Sequence, residues 1–321
     1  MLIIAAICKK RALHAPFQCG LSLVELLVAM AIASGVLLVS TTVYLGSSTS
    51  FRLSEDKRRL YQDGNYAMRL MERDLRQAGF GNLVTASTIA AAGAAGTMAI
   101  TDFILADGSP AQGLRGCEHG FVKPLAPGKD FSCSVNPGMA GFEVSYRLDD
   151  HVDPASGAGV DCNGVGVGPS AVPPGHPAYR LAPNVRIARN LFFVATRAGA
   201  SANSLYCQGN GNNSAQPILN NVEDMQLVYG VAALNDVSVS QFLNATQVAS
   251  LSTSQYQNWG RVVSVRLCLL LSGERNLSIE PQRYIDCNGN ARLASDSKLR
   301  AVFKRVVTLR NSAAASLVPP S

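Results

Sequence analysis

The chain has 321 residues, of which 47% are hydrophobic and 16% charged, with a formal net charge of +6. That length suits one large domain or two ordinary ones. Half of the net charge comes from Lys9, Lys10 and Arg11, so the rest is too weakly basic to argue for nucleic acid from charge alone.

Residues 21–45 form the first predicted element. They run LSLVELLVAMAIASGVLLVSTTVYL and hold one charged side chain, Glu25. An apolar stretch of this length crosses a bilayer as a helix. A secretory signal has a shorter apolar core followed by a small-residue cleavage site, and no clear site follows this one. A plain signal anchor fits the length and the basic flank but leaves Glu25 unexplained, because a carboxylate in lipid is costly. A third reading places cleavage ahead of the apolar run, after Gly20, so that the helix stays in the mature chain.

The segment Gly20-Leu21-Ser22-Leu23-Val24-Glu25-Leu26-Leu27 resembles the processing site of type IV prepilins and pseudopilins. That pattern is Gly, an apolar first mature residue, and Glu at the fifth mature position. Phe is usual where this chain has Leu21. The resemblance implies a leader over residues 1–20, cleavage between Gly20 and Leu21 by a membrane prepilin peptidase, and N-methylation of Leu21. Residues 21–45 are then the transmembrane helix. Glu25 is expected to act in assembly: it would neutralise the amine at Leu21 of a neighbouring subunit, which relieves the desolvation of both charges. It also stands in the first turns of a helix, where the dipole favours negative charge.

The helix is expected to continue over residues 46–80, with a soft point at Gly46-Ser47-Ser48-Thr49-Ser50. Leu53, Leu60, Ala67, Met68, Met71, Leu75 and Ala78 recur at helical spacing. Glu55, Asp56, Lys57, Arg58, Arg59, Arg69, Glu72, Arg73 and Arg76 read as a solvated face of mixed sign. Gly79 suits a C-cap.

From residue 81 to 321 a β-rich head is predicted. Strands are expected at Met98–Ala106, Gly141–Arg147, Leu191–Arg197, Ser204–Cys207, Asp224–Val231, Val262–Leu271 and Ala301–Leu309. Met225, Leu227, Tyr229 and Val231 alternate with other residues, as do Val263, Val265, Leu267, Leu269 and Leu271, which marks strands with one buried face. The third and fourth strands read as a hairpin. A short helix is expected around Ala245–Ser252. The stretch from Gly108 to Pro183 reads as a loop-rich insertion or second lobe, and Ser312–Ser321 as a loose tail. One long helix followed by strands gives an α+β class.

Eight cysteines lie at 8, 19, 117, 133, 162, 207, 268 and 287. The last six are dispersed, with no CxxC pair, which argues for disulfides in an oxidising compartment rather than a zinc site. Six cysteines allow many connectivities. Sequential pairing, Cys117–Cys133, Cys162–Cys207 and Cys268–Cys287, is the expectation, with buried free thiols as the alternative.

Later segments narrow the resemblance to PilW-type minor pilins. They are RLMERDLRQAGF at 69–80, VEDMQLVYG at 222–230, WGRVVSVRL at 259–267 and FKRVVTLRN at 303–311. The resemblance implies a type IV pilin-like fold: a long N-terminal helix packed on an antiparallel sheet head with a disulfide-bearing insertion. Its implied partners are other minor pilins, the major pilin, the prepilin peptidase, the inner-membrane assembly platform and membrane lipid. The implied location is the bacterial inner membrane with a periplasmic head, and the pilus at the cell surface after assembly.

No catalytic constellation is present in the sequence, and no enzyme activity, cofactor or metal is expected. His14, His119, His151 and His176 show no metal spacing, and there is no GxSxG, P-loop or GxGxxG. Asp149, Asp150, Asp153 and Asp161 cluster near Asn163 without EF-hand spacing and read as a solvated acidic turn. The expected function is a minor pilin that primes or assembles type IV pili, in a tip complex with other minor pilins, supporting piliation and twitching motility. The alternatives are a type II secretion pseudopilin, or a tip adhesin or DNA-uptake subunit. Against DNA uptake, no concentrated Arg/Lys stripe with aromatics is visible.

Overall fold

A computed structural model describes residues 22–80, 84–89, 97–102, 111–126, 130–148, 159–171, 184–234, 236–253, 255–276 and 281–311. Gly20, Leu21, Cys8 and Cys19 lie outside them, as does the tail from 312. Two compact units divide the chain, one ending at Arg52 and the other beginning at Leu53.

Helix α1 runs over Leu23–Gln77, 55 residues, without a break at the expected soft point. The hydroxyl of Thr49 donates to the carbonyls of Leu45 and Gly46, so the polar stretch folds onto the helix instead of opening it. Gly79 follows in the left-handed region, at φ 73°, and its N–H donates to the Ser145 carbonyl. That is the C-cap its position suggested.

The head is β-rich. Its elements are β1 (Val84–Ile89), β2 (Thr97–Asp102), β3 (Leu114–Cys117), β4 (Phe121–Lys123), β5 (Asp130–Cys133), β6 (Gly141–Arg147), β7 (Pro169–Ala171), β8 (Asn184–Ala195) and β9 (Ser204–Gly209). They continue with β10 (Ala215–Asn220), β11 (Val222–Ala232), β12 (Val239–Leu243), α2 (Ala245–Ala249) and α3 (Gln255–Gly260). The last are β13 (Val262–Asn276), β14 (Arg283–Ile285), β15 (Ala291–Leu293) and β16 (Lys298–Thr308).

Two larger antiparallel sheets result. One has the order β12-β11-β13-β16; the other is six-stranded, with β10-β9-β8-β6-β3 in order and β7 paired to β8. β8 and β9 form the expected hairpin, in register from Asn190↔Gly209 to Ala195↔Ser204. The loop-rich stretch between Gly108 and Pro183 supplies β3 and β6 to the six-stranded sheet, so its described part is woven into the head rather than set beside it as a second lobe.

The main core draws on the helix and both sheets. Leu60, Ala67, Met68, Met71, Leu75 and Ala78 of the helix end meet Met225, Leu227, Tyr229 and Val231 of β11. The same cluster holds Val265, Leu267, Leu269 and Leu271 of β13, Phe303 and Val307 of β16, and Phe142, Val144, Phe192 and Leu205 of the six-stranded sheet. Alternation in β11 and β13 is the cause: every second side chain faces this core. Val263, expected on that face, packs elsewhere, in a small cluster with Ala232.

Three disulfides cross-link the head. Cys117–Cys133 ties β3 to β5, Cys162–Cys207 ties the 159–168 loop to β9, and Cys268–Cys287 ties β13 to the turn between β14 and β15. Their Cα separations of 5.1, 6.4 and 5.7 Å lie in the ordinary range.

Candidate assembly site

The start of α1 is built by two side chains. Ser22 Oγ accepts the Glu25 N–H at 3.2 Å, and Glu25 Oε2 accepts the Ser22 N–H at 3.1 Å. This is a reciprocal capping box, in which two N–H groups that the first turn leaves without helical partners are satisfied. Glu25 therefore has a structural task that the sequence analysis did not see. The signal was present as Ser-x-x-Glu ahead of an apolar run. One carboxylate oxygen serves the cap, and a carboxylate retains further acceptor capacity on Oε1.

Beyond the cap, the large apolar residues of α1 as far as Leu45 are exposed around its whole circumference. Leu26, Leu27, Met30, Val36, Leu37, Leu38, Val39 and Val43 are each more than half exposed. A helix hydrophobic all round requires an apolar surrounding. Its hydroxyls suit one too: Ser34 donates to the Ala31 carbonyl at 2.9 Å and Thr42 to that of Val39 at 2.8 Å. α1 is the one helix among the described residues long and apolar enough to cross a membrane. Glu25 is its one acidic residue in the first turn.

In the head, the lower part of the helix is held by a buried polar junction. Asp74, fully buried, accepts from the Tyr146 hydroxyl at 3.2 Å and from Asn190 Nδ2 at 3.3 Å. Asn190 Nδ2 also donates to the Tyr146 oxygen at 3.1 Å, and Asn190 Oδ1 accepts the Cys162 N–H at 3.1 Å. Burial raises the Asp74 carboxyl to about 6, against the pull of Arg73 and of the hydrogen bonds. Asp74 links the helix to β6 and β8, and Asn190 carries the junction on to a disulfide loop.

Among the described residues no group of three or more His, Cys, Asp or Glu is placed to hold a metal ion. Asp161 is not a solvated acidic turn residue: it is buried, and its carboxylate accepts from the N–H groups of Asn163, Val165 and Gly211. Asp149, Asp150 and Asp153, with His151 and His176, lie outside the described residues. Glu143, also buried, is held between Arg115 and Arg189 at 2.7 and 2.8 Å. Asp56 departs from the expected solvated face as well, being 8% exposed.

The C-terminal part of the head is similar to a known family. Residues 191–311 match the PilW family, type IV pilus-assembly protein W. The match begins in β8 and runs through the whole β12-β11-β13-β16 sheet. The match supports a role in type IV pilus assembly. It contains Cys207, Cys268 and Cys287, while α1 lies ahead of it. Among solved structures, a type IV-like pilin from Thermus thermophilus is similar over 79% of this chain and 99% of its own, at 12% identity and a TM-score of 0.39. Among curated proteins none matches. The apolar helix and the PilW segment together fit a membrane-anchored pilus component.

Proposed function

We propose that this protein is a minor pilin that primes or assembles type IV pili in a tip complex with other minor pilins, and so supports piliation and twitching motility. The observation that carries the reading is the PilW match at 191–311 in a chain whose apolar helix opens with Ser22 and Glu25. In this reading the prepilin peptidase cuts between Gly20 and Leu21, and Leu21 is N-methylated. Residues 21–45 span the inner membrane, the rest of α1 and the head lie in the periplasm, and the assembled subunit reaches the cell surface.

Glu25 then has two tasks. Its Oε2 caps the helix through the Ser22 N–H, and Oε1 receives the Leu21 amine of a neighbouring subunit. A charge pair formed between subunits removes a desolvation cost that each carries alone in lipid. The major pilin and the inner-membrane assembly platform are the further partners.

Deletion of the gene tests the reading. Surface pili and twitching should be abolished or strongly reduced, and restored by the wild-type copy. Normal pili with lost adhesion or DNA uptake would replace it with a tip-binding role. Normal pili with blocked protein secretion would replace it with a type II secretion pseudopilin.

A further inference from the structure

Asp-Cys-Asn-Gly occurs twice in the chain, at 161–164 and at 286–289. No other cysteine follows an aspartate. The two segments fold alike. In the first, the Asp161 N–H donates to the Val165 carbonyl at 2.9 Å and the Gly164 N–H to the Asp161 carbonyl at 3.0 Å. In the second, the Asp286 N–H donates to the Asn290 carbonyl at 2.9 Å and the Gly289 N–H to the Asp286 carbonyl at 3.1 Å. Oδ1 of each aspartate accepts the N–H four residues on, at 3.0 Å for Val165 and 2.8 Å for Asn290. Both glycines are left-handed, at φ 76° and 85°.

These bonds are local, so the turn needs no distant part of the chain to hold its shape. A carboxylate bonded to N–H groups is also a stronger acceptor than a neutral oxygen. Each turn cysteine pairs with a buried strand cysteine: Cys162 with Cys207 of β9, and Cys287 with Cys268 of β13. The settings differ, since one turn leads back into the 159–168 loop and the other joins β14 to β15. What they share is a cysteine fixed by a turn on one side and by a sheet on the other. In Cys117–Cys133 the preceding residues are Gly116 and Ser132, and neither cysteine has such a turn.

We propose that Asp161 and Asp286 are positioning residues for disulfide formation, each folding its turn so that the cysteine faces its strand partner before the bond exists. Two bonds placed in this way leave Cys117 and Cys133 as the remaining pair. Two carboxylates then select one connectivity out of the many open to the six dispersed cysteines. The chemistry is exchange with a small disulfide, oxidised glutathione. One thiolate of a pair attacks a sulfur of it and releases a glutathione thiolate. The second thiolate attacks the mixed disulfide and releases the other. Two protein thiols lose two electrons and two protons, and the glutathione disulfide becomes two glutathione thiols.

Oxidative refolding of the full chain tests this. Reduced protein in urea is diluted into detergent with a glutathione redox buffer, trapped at intervals with N-ethylmaleimide, and mapped by peptide mass. Chain entropy alone favours Cys117–Cys133, whose separation of 16 residues is shorter than 19 or 45. The expected order is the opposite, with Cys162–Cys207 and Cys268–Cys287 ahead of it. Asp286→Ala should slow Cys268–Cys287 about fivefold, the change that loss of one hydrogen bond brings, and leave Cys162–Cys207 at its wild-type rate. Asp161→Ala should do the reverse. Asp286 Oδ2 also holds Arg292, so Arg292→Ala removes that pair, spares the turn and should oxidise at the wild-type rate. Asp286→Asn keeps an acceptor for the Asn290 N–H and should recover most of the loss. Formation of Cys117–Cys133 first would overturn the proposal on the wild-type chain alone. So would Asp→Ala variants that slow all three bonds alike, as a fold-wide defect does, or that slow none.

Discussion

The Cα of Gly64 in α1 lies against the ring of Phe303 in β16, with no room between them for a methyl group. Glycine in a helix interior ordinarily costs about 1 kcal/mol relative to alanine. Here the missing side chain lets the ring settle into the core, where Tyr61 meets it edge-on with centroids 5.7 Å apart. Gly64→Ala should therefore destabilise the head by about 1–3 kcal/mol in spite of its better helix propensity. Thermal unfolding of Gly64→Ala, Phe303→Leu and the double variant checks this. The double variant should recover part of the loss, and strict additivity would show that the two residues do not collide.

Asp74 gives the stability a pH dependence of known sign. Its carboxyl is raised from an ordinary 3.8 to about 6 by burial. A raised folded value means that its contribution is fully present below about pH 4 and is lost as pH rises through about 6. Denaturant midpoints for wild type and Asp74→Asn should thus converge or cross between pH 4 and 7. The difference between them should change by roughly 3 kcal/mol in favour of the asparagine variant at the higher pH. A difference that stays constant across that window would show that Asp74 does not titrate there.

The disulfides should rank by the length of chain they close. Cys162–Cys207 closes a separation of 45 residues and Cys117–Cys133 one of 16. On the chain-entropy model these correspond to about 4 and about 3 kcal/mol. Paired Cys→Ser variants, measured by denaturant unfolding, should lose stability in that order. Loss of Cys162–Cys207 should also loosen the loop whose Cys162 N–H is anchored on Asn190, read by faster amide exchange there.

At the membrane end, Gly20→Ala should leave the leader uncut, and intact-mass measurement would show the unprocessed N-terminus. Glu25→Gln should be processed normally, because a glutamine side-chain oxygen can still close the capping box with Ser22. It should nonetheless lose incorporation into pili, since the amide carries no charge. Normal incorporation of Glu25→Gln would leave the residue with capping alone.

Much of the fold was legible because it obeys simple periods. β11 and β13 showed themselves by alternation, and β6 matched its expected span of Gly141–Arg147. What escaped was polar structure paired within the protein. β8 starts at Asn184, seven residues ahead of the expected strand, through a segment that reads as surface. There Arg189 is satisfied by Glu143, and Asn190 by Asp74 and Tyr146, so these groups tolerate burial. β13 likewise runs on past Leu271 into Ser272–Asn276, where composition no longer signals a strand. Asp56 was misread for the opposite reason. Its charge suggested solvent, while its four-residue spacing from Leu60 already placed it on the apolar side.

The three disulfides each close within one chain. Each of these cross-links thus needs an oxidant to form but no second copy of the chain. In the minor pilin proposed above, contacts with neighbouring subunits are then left to surfaces and charges.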